Sequence, residues 1–325
     1  MVAPEDLAQF DGYRGLMACP PDFDSFWDER MAEADAVELD YELVPDERRT
    51  IASCSCADLW FVGMGGARLH ARVLLPVQKL PAVVLQFHGY PGATRSWFEQ
   101  ASFVGMGCAV VALDCPGQGG QSQDVGGFLG STVAGHLAAG LEGPADGLYY
   151  VRLHQDIRIL CNIVRACGLF DLSRVFVNGA SQGGGLGIAC CALNADLVRR
   201  AAILYPFLSD FGAVMELGAD LVAYEGLRYH ARWLDPTGEH QQEWLGKLAY
   251  VDTKNFAHLV RCEVLFGTGL ADTVCPPQTQ CAVYNELRCP KTRILYPGRG
   301  HEEIQEFDDL LIDFFCACDE EGGAR

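Results

Sequence analysis

The sequence predicts an α/β domain built on a mostly parallel, twisted sheet, with an antiparallel N-terminal edge, helices on both faces and a helical insertion. Six short unbroken apolar runs, AVVLQF, CAVVALD, RVFVNG, AAILYP, EVLFGTG and TRILYP, predict strands covered on both faces. Amphipathic stretches between several of them, such as VRLHQDIRILCNIVRACG and TQCAVYNELR, predict βαβ units and hence parallel pairing. Ahead of them, VELDYELV and RLHARVLL alternate apolar and polar residues, as half-exposed antiparallel strands do.

In chain order, residues 1–50 form an extension packed on the main domain. Within it FDSFWDERMAEA places Phe23, Phe26, Trp27 and Met31 at helical spacing, with Asp22 or Asp24 as the capping residue. In VELDYELV, Val37, Leu39, Tyr41 and Leu43 share one face; in RLHARVLL, Leu69, Ala71, Val73 and Leu75 do, and SCADLWFVG lies between the two segments. Residues 51–325 form the main domain. Residues 120–150, rich in glycine and small residues, are expected to be a long loop with a short helix. Residues 207–255 carry Phe207, Phe211, Met215, Tyr224, Trp233 and Trp244 without strand patterning, which predicts a helical insertion suited to a lid or an oligomer contact. EFDDLLIDFFCA closes the chain as a helix whose apolar face is Phe307, Leu310, Leu311, Phe314 and Phe315.

Composition narrows the function classes. The 325 residues are 50% hydrophobic and 21% charged, a globular balance with enough chain for a substantial core. The formal net charge of −19 and the lack of any Lys/Arg block argue against nucleic acid and anionic membranes as partners. The N-terminus has neither the basic nor the apolar region of a secretory signal, and no run approaches the 18 or so apolar residues of a membrane span. The expected location is the cytoplasm. The 15 cysteines include Cys108, Cys161, Cys190, Cys191 and Cys316 within apolar runs, where they read as small buried hydrophobes. The C-x-C pairs Cys54/Cys56 and Cys316/Cys318 have no histidine at zinc-like spacing, so neither a metal nor a cofactor is expected.

The chemistry is carried by Gly179-Ala180-Ser181-Gln182-Gly183, a G-x-S-x-G between the strand RVFVN and the small-residue stretch GGLGIACCAL. A strand that turns abruptly into a helix holds the central serine in a strained conformation with its hydroxyl exposed at the carboxyl edge of the sheet. A serine hydroxyl needs a base to take its proton. Of eight histidines, His301 is the best placed, in PGRGHE between the last apolar run and the final helix. Asp272, in GLADTVCPP after EVLFGTG, is the residue to orient the imidazole; Glu302 is a rival. The order Ser181, Asp272, His301 is that of the α/β-hydrolase fold.

The oxyanion hole is assigned to the backbone N–H of Gln182 and of Tyr90, the latter in FHGYPG after AVVLQ; Gly89 and Pro91 shape that turn. His88 reads as a structural brace for it. GQGGQS at 117–122, which includes Gln118, lacks the lysine and spacing of a nucleotide loop and reads as a turn supporting the floor of the site.

As a set, these residues resemble the acetyl xylan esterase/cephalosporin C deacetylase group, carbohydrate esterase family 7. The resemblance rests on His88-Gly89-Tyr90, Gly117-Gln118-Gly119-Gly120, Gly179 through Gly184, Gly269-Leu270-Ala271-Asp272 with Cys275-Pro276-Pro277, and Gly300-His301-Glu302, and it runs from the FWDE segment to the last helix. Pro116 departs from the pattern, standing where the family has an arginine; Arg299 is a candidate to compensate. The resemblance implies a cytoplasmic serine esterase that removes acetyl groups from small acetylated sugars or related esters. It also implies a doughnut-shaped homo-hexamer whose inner cavity admits small molecules and excludes polymer. The competing readings are a longer-chain esterase or peptidase on the same scaffold, and a non-catalytic binding protein that kept the fold.

Overall fold

The structure, a computed structural model, describes residues 4–126, 135–219 and 223–316. The strands are β1 (Tyr41–Pro45), β2 (Cys54–Val62), β3 (Arg68–Pro76), β4 (Ala82–Phe87), β5 (Cys108–Leu113), β6 (Val175–Ala180), β7 (Arg200–Leu204), β8 (Glu263–Gly269) and β9 (Lys291–Tyr296). They form one sheet in the order β1-β2-β3-β5-β4-β6-β7-β8-β9. β1, β2, β3 and β5 pair antiparallel in sequence, and β5 through β9 are parallel.

The chain winds outward from β4 in both directions, so the order reverses between β4 and β6. At such a switch point the loops leaving the carboxyl ends of adjacent strands diverge and open a crevice. All the predicted site residues leave the sheet at this edge: the turn at 88–92 from β4, Ser181 from β6, Asp272 from β8 and His301 from β9.

The helices are α1 (Phe23–Asp35), α2 (Trp97–Gly105), α3 (Tyr149–Ala166), α4 (Gln182–Leu193), α5 (Phe211–Leu217), α6 (Glu225–Trp233), α7 (Gln241–Leu248), α8 (Thr253–Phe256), α9 (Pro277–Glu286) and α10 (Gln305–Cys316). α4 lies against β4, β6 and β7; α3 packs on α4, and α1 on α3. α2 lies on β3 and β5, and α10 on β7. The six apolar runs are the six C-terminal strands. β4 and β5 are buried at every residue, which is why their sequences do not alternate. The 207–255 segment supplies α5 to α8 between β7 and β8. Residues 127–134 of the expected 120–150 loop lie outside the described residues; the remainder is irregular chain, turns and a short 3-10 helix, Ala145–Gly147, up to the start of α3 at Tyr149.

Several local expectations are corrected. β9 is an edge strand and mostly half-buried, so TRILYP is not covered on both faces. The first strand begins only at Tyr41, leaving Val37 and Leu39 outside it. In β3, His70 and Leu74 are buried as fully as Leu69, Ala71 and Val73 of the predicted inner face, because neighbouring elements cover both sides, while Leu75 is only half-buried. Neither aspartate caps α1: Asp22 holds the position, but its carboxylate accepts the Tyr250 hydroxyl at 2.7 Å. Among the described residues no helix is long and apolar enough to cross a membrane.

Candidate active site

The turn from β6 into α4 is as sharp as the motif requires. Ser181 has φ 57° and ψ −125°, a combination an L-residue adopts only when its surroundings enforce it. The enforcement is visible in the backbone. Ser181 N–H donates to the Leu204 carbonyl of β7 at 3.1 Å, and the Ser181 carbonyl accepts from Phe207 and Gly185 at 2.9 and 3.1 Å. The flanking glycines let the turn close. A Cβ on Gly179 would lie 2.2 Å from the Gly183 carbonyl oxygen, and one on Gly183 would lie 2.0 Å from that of Phe87.

Three side chains from distant parts of the chain meet here. His301 Nε2 is 2.9 Å from Ser181 Oγ, and its Nδ1 is 2.9 Å from Asp272 Oδ2. Asp272 is fixed by the loop behind it, because its Oδ1 accepts the N–H groups of Val274 and Cys275, each at 2.8 Å. A carboxylate facing Nδ1 keeps the proton on that nitrogen and leaves the Nε2 lone pair toward the serine hydroxyl. Glu302, the rival orienter, does not turn to the imidazole: its carboxylate accepts from Gly300 N–H at 3.2 Å and sits 3.6 Å from Arg299. Arg299 is thereby turned to Glu302 within the histidine loop, and the Pro116 carbonyl accepts the Tyr149 hydroxyl at 2.7 Å.

The turn after β4 faces the serine. A Cβ on Gly89 would stand 3.9 Å from that of Ser181, and Tyr90–Pro91 is a cis peptide. His88 braces the turn. It accepts Cys115 N–H on Nε2 at 2.9 Å and so donates from Nδ1 to the Gly89 carbonyl at 2.8 Å; burial holds its pKa below the ordinary histidine value, in keeping with the neutral ring this pairing needs. The Gln118 turn lies against both: a Cβ on Gly119 would meet the Gly92 carbonyl at 3.0 Å, and the Gln118 amide bonds to the buried Gln182 side chain. Gln182 also accepts the Tyr150 hydroxyl at 2.8 Å.

Sequence reasoning missed an aromatic lining. Tyr205 packs its ring 4.6 Å from the His301 imidazole and donates its hydroxyl to the Glu302 carbonyl at 2.7 Å, fixing the histidine loop from below. Tyr90 stacks on Phe207 at 6.1 Å, Phe207 lies 5.0 Å from Tyr224, and the Tyr90 hydroxyl reaches His136 at 3.3 Å. Burial pushes the Tyr90 phenol up to about 12, so this wall is uncharged at neutral pH. The position of Phe207 two residues past AAILY, at the same sheet edge as the serine, is the signal that points to it.

Asp272, Cys275 and His301 are the one group of three potential metal-ligating side chains among the described residues, with ligand atoms within 4.8 Å of one another; Asp272 and His301 are engaged with each other. A cavity of about 840 Å³ opens between α2 and α10, lined by Gln86, Asn178, Tyr205, Phe307 and Asp308 among others, and no side chain of the serine, histidine and aspartate group lines it.

The model of the family described as acetyl xylan esterase (AXE1) matches residues 3–318. Acetyl xylan esterase 1 from a Thermoanaerobacterium species superposes with a TM-score of 0.92 at 38% identity, covering 98% of this chain and 99% of that one. An acetyl xylan esterase from a Paenibacillus species gives 0.90 at 28% identity, covering 96% and 99%. The acetyl esterase Axe7A of Xylanibacter ruminicola is 28% identical over 172 residues, 53% of this chain and 37% of that protein, so the match spans little more than a third of that relative.

Proposed function

The chain belongs to the acetyl xylan esterase family, and on that premise we propose that it is a serine esterase that removes acetyl groups from small acetylated sugars or related esters. The observation that carries the reading is the hydrogen-bonded chain from Ser181 through His301 to Asp272.

In the first step Ser181 Oγ attacks the acetyl carbonyl carbon while His301 Nε2 takes the hydroxyl proton. Asp272 stabilises the imidazolium that results and is not itself protonated. The carbonyl π electrons move onto oxygen, and the N–H groups of Tyr90 and Gln182 are the donors that receive this oxyanion, each worth about 3–4 kcal/mol in comparable sites. Collapse expels the sugar alkoxide, which leaves as the alcohol with the proton from His301. Water then attacks the acetyl-enzyme by the same route, releasing acetate. No step calls on a cofactor or a metal. Gly89, Pro91 and Gln118 shape the oxyanion side, and Glu302 supports the histidine loop through its carbonyl.

A cytoplasmic homo-oligomer, a hexamer by family likeness, is part of the proposal. It draws support from exposed apolar side chains on the insertion, Leu217 on α5 and Tyr229 and Trp233 on α6, the last 65% exposed. The test is a panel of acetylated mono- and oligosaccharides with chromogenic acetate and octanoate esters and a peptide amide, run beside a light-scattering mass. Turnover of the acetates well above the octanoate and amide is expected. Preference for octanoate or amide would replace the deacetylase reading with another hydrolase.

A further inference from the structure

Behind the turn that carries Tyr90 lies an Asp–His–Asp arrangement that the proposed reaction does not use. His70, on β3, is fully buried, with Nδ1 2.6 Å from Asp114 Oδ2 and Nε2 2.8 Å from Asp58 Oδ1. The Gln121 side-chain amide nitrogen also lies 3.3 Å from Nε2, so both ring nitrogens are engaged. Trp60 lies against the ring at 4.7 Å and Arg68 sits 3.7 Å over Trp60, so the imidazole has little freedom to turn.

Asp114, at the end of β5, passes the constraint to the site. Its Oδ1 accepts Thr94 N–H at 2.7 Å and its Oδ2 accepts Gln121 N–H at 3.0 Å. Burial alone would raise its pKa, but these bonds and the one from His70 outweigh it and bring the carboxyl down to about 2. Thr94 closes the 88–94 turn and Gln121 closes the Gln118 turn, so one buried carboxylate ties together the two loops beneath the oxyanion. A Cβ on Gly120 would lie 2.1 Å from the Asp114 carboxyl carbon, so the carboxylate occupies the space a side chain at 120 would fill. The neighbouring residue pins the other end of the turn, through Cys115 N–H to His88.

We propose that His70 and Asp58 are positioning residues for the ester-cleaving step: Asp58 and the His70 ring hold Asp114, and Asp114 holds the turn from which Tyr90 presents its N–H. The proposal rests on the reading of Tyr90 N–H as an oxyanion donor. It does not make His70 a catalytic residue, since nothing on its ring touches substrate.

The test compares His70→Leu, His70→Asn and Asp58→Asn with the full chain, all counted by fluorophosphonate titration so that rates refer to competent sites. His70→Leu removes the ring's hydrogen bonds to both carboxylates. It is expected to lower kcat on a chromogenic acetate about 10-fold or more, a fraction of what losing a whole oxyanion donor costs, with KM little changed. His70→Asn keeps a donor where Nδ1 stood and is expected to recover most of the loss. Asp58→Asn, at a partly exposed position, is expected to fall between wild type and His70→Leu, and it carries the test if His70→Leu does not fold. Affinity for a trifluoromethyl ketone, which forms a stable oxyanion on the serine, should fall in step with kcat. Unchanged kcat per titrated site in His70→Leu and Asp58→Asn, or a loss lying wholly in KM, would overturn the proposal. A fall in kcat without a fall in ketone affinity would overturn it by removing Tyr90 N–H from the oxyanion. A wild-type chain that neither titrates nor binds the ketone would overturn the esterase reading itself, and this proposal with it.

Discussion

Gln118 and Gln182 exchange two hydrogen bonds beside Ser181: Gln118 Nε2 donates to Gln182 Oε1 at 2.8 Å, and Gln182 Nε2 donates to Gln118 Oε1 at 2.9 Å. The second residue is the one whose backbone N–H follows Ser181. Gln182 is fully buried, so its amide has no solvent to fall back on. Gln118→Leu removes one partner from each end of the Gln182 amide, which keeps the Tyr150 hydroxyl and the His88 carbonyl, and is expected to destabilise the fold by about 1 kcal/mol. It should also lower kcat on acetate esters. Urea unfolding and steady-state kinetics on the same preparation check the two effects.

Gly183, in the first turn of α4, lies against the end of β4. A methyl there would sit 2.0 Å from the Phe87 carbonyl oxygen, a backbone atom at the carboxyl end of the central strand β4 that cannot swing aside. Gly183→Ala is therefore expected to cost about 1–3 kcal/mol or more through forced displacement of α4 from the sheet. The helix shift should also move Ser181 and lower activity per folded molecule. A urea midpoint equal to wild type would show that the elbow is looser than the packing requires.

Asp272→Asn keeps the shape of the residue but places an amide N–H where His301 Nδ1 now donates, if the Val274 and Cys275 N–H groups keep the amide oxygen. The imidazole would then hold its proton on Nε2, facing the serine. By analogy with serine hydrolases that use the same three groups, kcat should fall about 10⁴-fold while the fold is retained. Ester turnover with circular dichroism as a control for folding measures this.

Asp156 on α3 is buried, with Oδ1 accepting Met64 N–H at 2.7 Å and Oδ2 without a partner among the described residues. Burial pushes its carboxyl up to about 7. The folded state therefore holds a proton that the unfolded chain releases near its ordinary value of 3.8. Between those two values the native state binds more protons, so Asp156 makes the protein less stable as pH rises through the window, and the penalty levels off above about pH 7. Asp156→Asn keeps the acceptor for Met64. It should stabilise the chain by a few kcal/mol at pH 8, with the gain shrinking toward pH 4. Urea unfolding at pH 5 and pH 8 tests the sign.

The parallel part of the sheet was legible because strands covered on both faces, such as β4 and β5, cannot alternate, and their runs end where the sheet ends. The positions of Ser181, Asp272 and His301 were legible for a related reason: each follows an apolar run, and parallel strands deliver such residues to one edge. β9 was misread because an apolar run does not report that it lies at the edge of the sheet. Asp22 was misread as a cap because Tyr250, 228 residues away, competes for its carboxylate. The Tyr205 contact to His301 and the His70 pair of carboxylates were invisible for the same physical reason. Both depend on which way one side chain points across strands that the sequence does not align, and His70 gave no sign beyond its place in an alternating strand.

The most direct measurement is mass analysis of the Ser181 peptide after rapid acid quench of the enzyme turning over a chromogenic acetate. An acetyl group on Ser181, present at the earliest times and absent from Ser181→Ala, is the predicted result. Acetate released at the wild-type rate by Ser181→Ala, or an acetyl group found only on another residue, would contradict the account.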